Sequence, residues 1–180
     1  LLDHARRMGL AFETLTVEWG RVIDRGMIEA ALARNRGTDW LWAVHCETST
    51  GVLNDLETIK QVCAARDVRL SMDCISSIGT VPVDLRGVHL ASCVSGKGLG
   101  GYPGLSMVFY DHEVGPAPDR LPRYLDLGLH AAKDGVPFTM SSNLFYGLDS
   151  ALDAFQSNSV FDEIADISAW LRRGLRRLGY

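Results

Sequence analysis

The sequence predicts an α/β layered fold built on a largely parallel sheet, and three observations predict it. Apolar runs of strand length recur along the chain, segments with helical periodicity separate them, and the order strand, helix, strand, helix holds at the spacing of crossover units. The run Trp40 to His45 is continuous and apolar, which marks a strand buried on both faces of a parallel sheet. With 180 residues, 47% of them hydrophobic and 22% charged, the chain can bury one substantial core.

Each element follows in order. Leu1 to Met8 reads as a helix and Ala11 to Val17 as a strand. A helix covers Met27 to Asn35, with Gly37 as its stop signal. After the strand at Trp40 to His45, Asn54 with Glu57 three residues on resembles a capping box. It opens a helix that places Leu56, Ile59 and Cys63 on one face. Val68 to Asp73, His89 to Val94 and Leu105 to Tyr110 read as three further strands. Residues 111–143 are loop-rich, with Pro116, Pro118, Pro122 and Pro137. Two helices close the chain, at Asn143 to Phe155 and Val160 to Leu178.

Composition excludes several classes. A net charge of −4 gives no global pull toward nucleic acid or an anionic membrane, and no apolar run approaches spanning length. Cys46, Cys63, Cys74 and Cys93 form no CxxC pair, so they read as small hydrophobes in a reducing cytoplasm. His4, His89, His112 and His130 show no ligand spacing, and no metal site is expected. Arg172, Arg173, Arg176 and Arg177 lie at the far end of a helix from Asp162, Glu163 and Asp166, which complements the helix dipole on a solvated face. Trp40 and Trp42 alternate with Leu41 and read as core. The chain begins on Leu-Leu-Asp-His, inside a helical pattern, and is expected to be a piece of a longer protein.

In open parallel sheets, ligands bind beyond the carboxyl ends of the strands. That rule brings His45, Glu47 and Thr48, then Asp73, then Ser95 and Lys97, to one sheet edge. His45 reads as a hydrogen-bonded structural histidine, and Glu47 as a loop-orienting or site-tuning acid. Lys97 lies in SGKGLGGYPG, and three chemistries compete for it. The phosphate loop GxxxxGK[ST] fails at Ala91 and Gly98. Gly96, Gly98 and Gly101 satisfy GxGxxG, but a Pro-Gly turn and a strand follow where a helix should. A Schiff-base lysine fits better. Its amine must reach a carbonyl from a flexible, uncrowded turn, which glycines supply. A pyridoxal phosphate ring would also need an acid at its nitrogen, where Asp73 is placed, and hydroxyls for its phosphate, where Ser95, Ser76 and Ser77 are candidates. From spacing alone, a solvated lysine in a glycine-rich hairpin loop stands level with this reading.

VHCETSTGVLNDLETI, LSMDCISSIGTVPVDL and SGKGLGGYPGLSMVFY, in that order, resemble the class V aminotransferases of the fold-type-I pyridoxal phosphate family. The nearest likeness is to the 2-aminoethylphosphonate–pyruvate branch, on HCET-x-TG and RYLDLGLHAAKDGVPFT, with the alanine–glyoxylate (serine–pyruvate) branch next. The resemblance implies a three-layer α/β/α large domain with a mostly parallel mixed sheet, incomplete at both ends. Residues 1–143 would belong to that domain, and the helices of 144–180 would lead toward a small domain. It implies an amino transfer from a small amine, 2-aminoethylphosphonate foremost, to pyruvate through a Lys97 Schiff base. Alanine or serine with glyoxylate or pyruvate is the alternative, and a non-catalytic fragment a further one.

The resemblance also distributes roles. Lys97 would bind the cofactor and shuttle the proton, Asp73 would pair with the ring nitrogen, and Ile75 would pack on the ring. Thr48 would sit near the phenolic oxygen, Ser95 would hold phosphate, and Thr139 would reach the phosphate of a partner subunit, which implies a cytoplasmic homodimer with shared sites. The family's upstream phosphate loop and aromatic would precede Leu1, and its carboxylate-binding arginine would follow Tyr180. Gly96 and Val136 depart from the pattern, standing where relatives carry a longer polar residue and a phosphate-binding tyrosine.

Overall fold

The structure is a computed structural model, and it describes residues 2–157 and 159–180. Element order is α1 (Leu2–Arg7), α2 (Arg25–Arg34), β1 (Trp40–Val44), β2 (Cys46–Glu47), β3 (Val52–Leu53), α3 (Leu56–Ala64), β4 (Arg69–Asp73), β5 (Leu90–Val94), β6 (Ser106–Phe109), α4 (Leu127–Ala131), α5 (Ser142–Leu152) and α6 (Ser159–Arg177). The main sheet runs β1-β4-β5-β6, with β1, β4 and β5 parallel and β6 antiparallel to β5; β2 and β3 form a separate antiparallel pair. The expected α/β class with a mixed, mostly parallel sheet is what the chain adopts.

α3 shows why these residues make this layer. Asp55 caps it, accepting from the Thr58 N–H at 3.1 Å and the Thr58 hydroxyl at 2.7 Å. The helix then turns Leu56, Ile59, Val62 and Cys63 inward, against Leu70 and Met72 of β4 and Ile28 and Leu32 of α2. Each fully buried aliphatic side chain of this kind contributes about 1.5–3 kcal/mol. Burial also pushes the Cys63 and Cys74 thiols up to about 11, so both behave as inert apolar groups.

Three expectations are corrected. The capping box at Asn54 is absent because Asn54 is buried and spent elsewhere. Its Oδ1 accepts from the Ile23 N–H at 3.0 Å and its Nδ2 donates to the Val44 carbonyl at 2.9 Å, which ties the start of α3 to the end of β1. Ala11 to Val17 forms no strand: no partner among the described residues satisfies its backbone, and Leu10 and Phe12 are exposed. β1 is an edge strand buried on one face only. Leu41 and Ala43 face the core, whereas Trp40 and Trp42 are 39% and 53% exposed, so the two tryptophans are not core. Residues 111–143 are loop-rich as expected and include one short helix, α4, which Asp126 caps through the Leu129 N–H at 3.2 Å. The first helix spans Leu2–Arg7, and Leu1, where the sequence starts it, lies outside the described residues.

An aromatic ladder closes the amino-terminal edge of the sheet. The His89 and His112 rings stack at 3.7 Å and 17°, Trp40 meets His89 edge-on at 4.9 Å, and the Arg69 guanidinium lies 4.7 Å over Trp40. Removal from water, then the charges of His112 and Arg69, lower the His89 pKa against a weaker opposing pull from Asp111. Burial lowers that of His45. Both groups bind a proton less readily folded than unfolded, so their contribution to stability is present at neutral pH. It is lost as pH falls below the ordinary histidine value of about 6.5. The melting temperature should therefore drop between about pH 7 and about pH 5. His89→Phe, which keeps a stacking ring without the charge, should drop less; an unchanged slope would place the acid sensitivity elsewhere.

Candidate active site

The parallel strands β1, β4 and β5 end side by side, and the segments that follow them meet. Lys97 Nζ donates to Ser76 Oγ at 2.9 Å and to Thr48 Oγ1 at 3.2 Å, and the two hydroxyl oxygens lie 2.6 Å apart. One amine and two hydroxyls thus close a triangle from three chain segments. Among the described residues no carboxylate forms an ion pair with Lys97.

Each corner has a local cause. Thr48 sits on the turn between β2 and β3, which the Gly51 N–H closes onto the Glu47 carbonyl at 2.8 Å. The Glu47 carboxylate accepts from the Ser49 hydroxyl at 2.7 Å and its N–H at 3.1 Å, which holds its pKa below the ordinary range and orients the turn. Ser76 sits on the turn after β4, where the Ser77 and Ile78 N–H groups both donate to the Cys74 carbonyl. Beneath it, fully buried Ser77 shares a 2.9 Å hydrogen bond with buried His45 Nδ1. That bond couples the turn after β4 to the end of β1, and gives His45 the structural place expected of it.

The Lys97 loop is placed by close backbone contact. A Cβ on Gly79 would lie 2.3 Å from the Gly98 carbonyl carbon, and one on Gly98 would lie 2.4 Å from the Ile78 carbonyl oxygen. A Cβ on Gly96 would meet Pro103 at 2.7 Å. The expected flexible, uncrowded turn is therefore a crowded one, in which glycine serves close approach. The missing polar side chain at Gly96 has the same cause, since Pro103 fills its space. The loop runs on into β6, not into a helix, as the failed dinucleotide pattern required.

The remaining predicted residues divide. Asp73 ends β4 with Oδ1 accepting from the Ile75 N–H at 2.9 Å, so the acid and the apolar residue share one turn. Ser95 is fully buried. Its hydroxyl donates to the Tyr102 carbonyl at 2.6 Å and accepts from the Leu105 N–H at 3.2 Å, so it closes the Lys97 loop with its proton engaged there. Thr139 is exposed between α4 and α5 and makes no hydrogen bond to the Lys97 group among the described residues. Ser76 was legible only as a possible phosphate ligand; its bond to Lys97 depends on how two turns pack.

Comparison with known proteins bears on this arrangement. A family model described as "Aminotransferase class-V" matches residues 3–119. A relative named "Soluble hydrogenase, small subunit", from a Synechococcus strain, is 35% identical over 84% of this chain and 42% of its own length. A 2-aminoethylphosphonate–pyruvate transaminase of Burkholderia thailandensis is 32% identical over 97% of this chain and 51% of its own length. Among solved structures, an alanine–glyoxylate aminotransferase from Nostoc sp. superposes with a TM-score of 0.85 at 30% identity, covering 99% of this chain and 51% of that one. The chain spans about half the length of the relatives it matches.

Gly79 combines φ +85° with the backbone contact, whereas Gly100, at φ +75°, has open space around it. Gly79→Ala should cost about 2–4 kcal/mol and displace the Lys97 loop, and Gly100→Ala about 1 kcal/mol. Denaturant titration of the two variants checks the difference, and equal losses would show that the glycine contact is not tight.

Proposed function

The chain belongs to the class V aminotransferase family, and on that premise we propose that it forms the cofactor-binding part of a transaminase that moves an amino group from a small amine to pyruvate. The observation that carries the reading is the Lys97 amine held by Thr48 and Ser76 at the same sheet edge as Asp73. The family depends on pyridoxal phosphate, and the residues present fit it. An amine on a short loop, a carboxylate with one oxygen fixed by the Ile75 N–H, and the half-buried apolar side chain of Ile75 on the same turn as that carboxylate suit a small planar ring with a carbonyl and a basic nitrogen.

In this reading, bound pyridoxal phosphate supplies an electron-withdrawing ring that stabilises negative charge at the substrate's Cα. Lys97 would hold the cofactor through its Nζ. The Lys97 Nζ would be the base that takes the proton from the substrate's Cα. Asp73 would pair with the ring nitrogen and keep it protonated. Ile75 would pack on the ring and exclude water, and Thr48 would sit near its phenolic oxygen. Thr139 of the partner subunit would reach the phosphate, and Ser95 would do so by turning its proton from the Tyr102 carbonyl. The reading includes a homodimer with shared sites. Residues 144–180 would lead toward a small domain. Among the described residues no helix is long and apolar enough to cross a membrane.

The donor we favour is 2-aminoethylphosphonate, supported by the HCET-x-TG wording and by the Burkholderia relative. Alanine or serine with glyoxylate is a second reading, which the likeness to the Nostoc enzyme supports. Borohydride reduction of the full-length protein with cofactor should fix a pyridoxyl group on Lys97, read by peptide mass spectrometry. Lys97→Ala should lower transamination by at least about 10²-fold with the melting temperature unchanged. A label on another lysine would remove the central assignment. Assays with 2-aminoethylphosphonate, alanine and serine as donors decide between the two substrate readings.

A further inference from the structure

We propose that Ser76 is the positioning residue for the Lys97 amine: with Thr48 it forms a neutral hydroxyl cradle that keeps Nζ in place in both of its protonation states. The proposal rests on the reading of Lys97 as the reactive amine, and assigns Ser76 a role separate from phosphate binding.

The geometry argues it in three steps. Lys97 is exposed and carries a long side chain, so its amine is not held by packing. Ser76 is half-buried on a rigid turn, where the Thr80 hydroxyl donates to its carbonyl at 3.0 Å and the adjoining N–H groups bond back to Cys74. Its hydroxyl is therefore a fixed point, and the 2.9 Å contact is the shorter of the two that Lys97 makes.

A hydroxyl both donates and accepts. Facing an ammonium, Ser76 Oγ and Thr48 Oγ1 each accept an N–H. Facing a neutral amine, one of them turns its proton onto the Nζ lone pair, and the 2.6 Å contact between the oxygens lets the other complete the triangle. A carboxylate in the same place could only accept, so it would hold the proton along with the amine. The cradle restrains where the amine is without choosing its charge, which suits a group that must form a bond and carry a proton in the same cycle.

Two measurements on the full-length protein test this, one without cofactor and one with it. In the first, formaldehyde and cyanoborohydride methylate the three lysines of this chain, Lys60, Lys97 and Lys133, and mass spectrometry follows each. Ser76→Ala should release the Lys97 amine and raise its methylation rate by up to about tenfold. Lys60 and Lys133 should keep their rates, and Ser76→Thr should keep Lys97 at the parental rate. An unchanged Lys97 rate in Ser76→Ala overturns the cradle.

In the second, pyridoxal phosphate attachment at Lys97, trapped by borohydride, should become about tenfold slower in Ser76→Ala and return in Ser76→Thr. The opposite signs of the two effects separate positioning from a general change in reactivity or folding. Attachment at the parental rate overturns the positioning role. If the parent chain takes no label on Lys97 at all, the transaminase reading falls instead, and the methylation rates alone decide the role of Ser76.

Discussion

Two peptide backbones in contact, at Gly79 and Gly98, set the geometry of the carboxyl edge. Neither residue has a Cβ, and at 2.3–2.4 Å neither could carry one without moving the other turn. Because they touch, the turn after β4 and the turn after β5 lie close enough for Lys97 to reach Ser76. The buried His45–Ser77 hydrogen bond extends the same constraint to β1 and so to Thr48. Three strands contribute one corner each, and the contacts between their turns, not the strands themselves, bring the corners together.

The sheet separates support from chemistry. On one face Leu70, Met72 and Ala91 pack against α2 and α3, and nothing there titrates in the physiological range. At the carboxyl edge the chain turns polar within one or two residues: Val44 to His45, Met72 to Asp73, Val94 to Ser95. Parallel strands put these transitions at the same height, which is why an acid, two hydroxyls and an amine share a rim. The amino-terminal edge has its own polar cluster, the His89–His112 stack, set apart from the rim.

The electrostatics of the rim are those of a neutral cradle. Lys97 meets hydroxyl oxygens, while Asp73 is engaged by the Ile75 N–H. Keeping the amine and the acid on separate partners leaves each available to a ligand lying between them, whereas a direct ion pair would satisfy both internally. Ser95 illustrates the opposite use of a hydroxyl. The same residue type, two positions before the lysine, is engaged in holding the loop closed.

By itself the sequence determined the layer order, the helices around Ile28 and Ile59, and the placement of Thr48, Asp73 and Lys97 after three successive strands. Those features are local, set by apolar periodicity and by where each run stops. Only the tertiary structure decided which hydroxyls serve Lys97. Ser76 and Ser95 look alike in a linear reading, and the direction of each depends on a turn whose packing partner lies elsewhere in the chain. The same limit explains Trp40 and Trp42, apolar by composition but exposed because they point away from the core face, to a side that the described residues leave largely uncovered. It explains Asn54 as well, which has the chemistry of a cap yet is drawn inward by the Val44 carbonyl and the Ile23 N–H. Periodicity along the chain reports which face an element buries, and the partner that a polar group meets is a property of what folds against it.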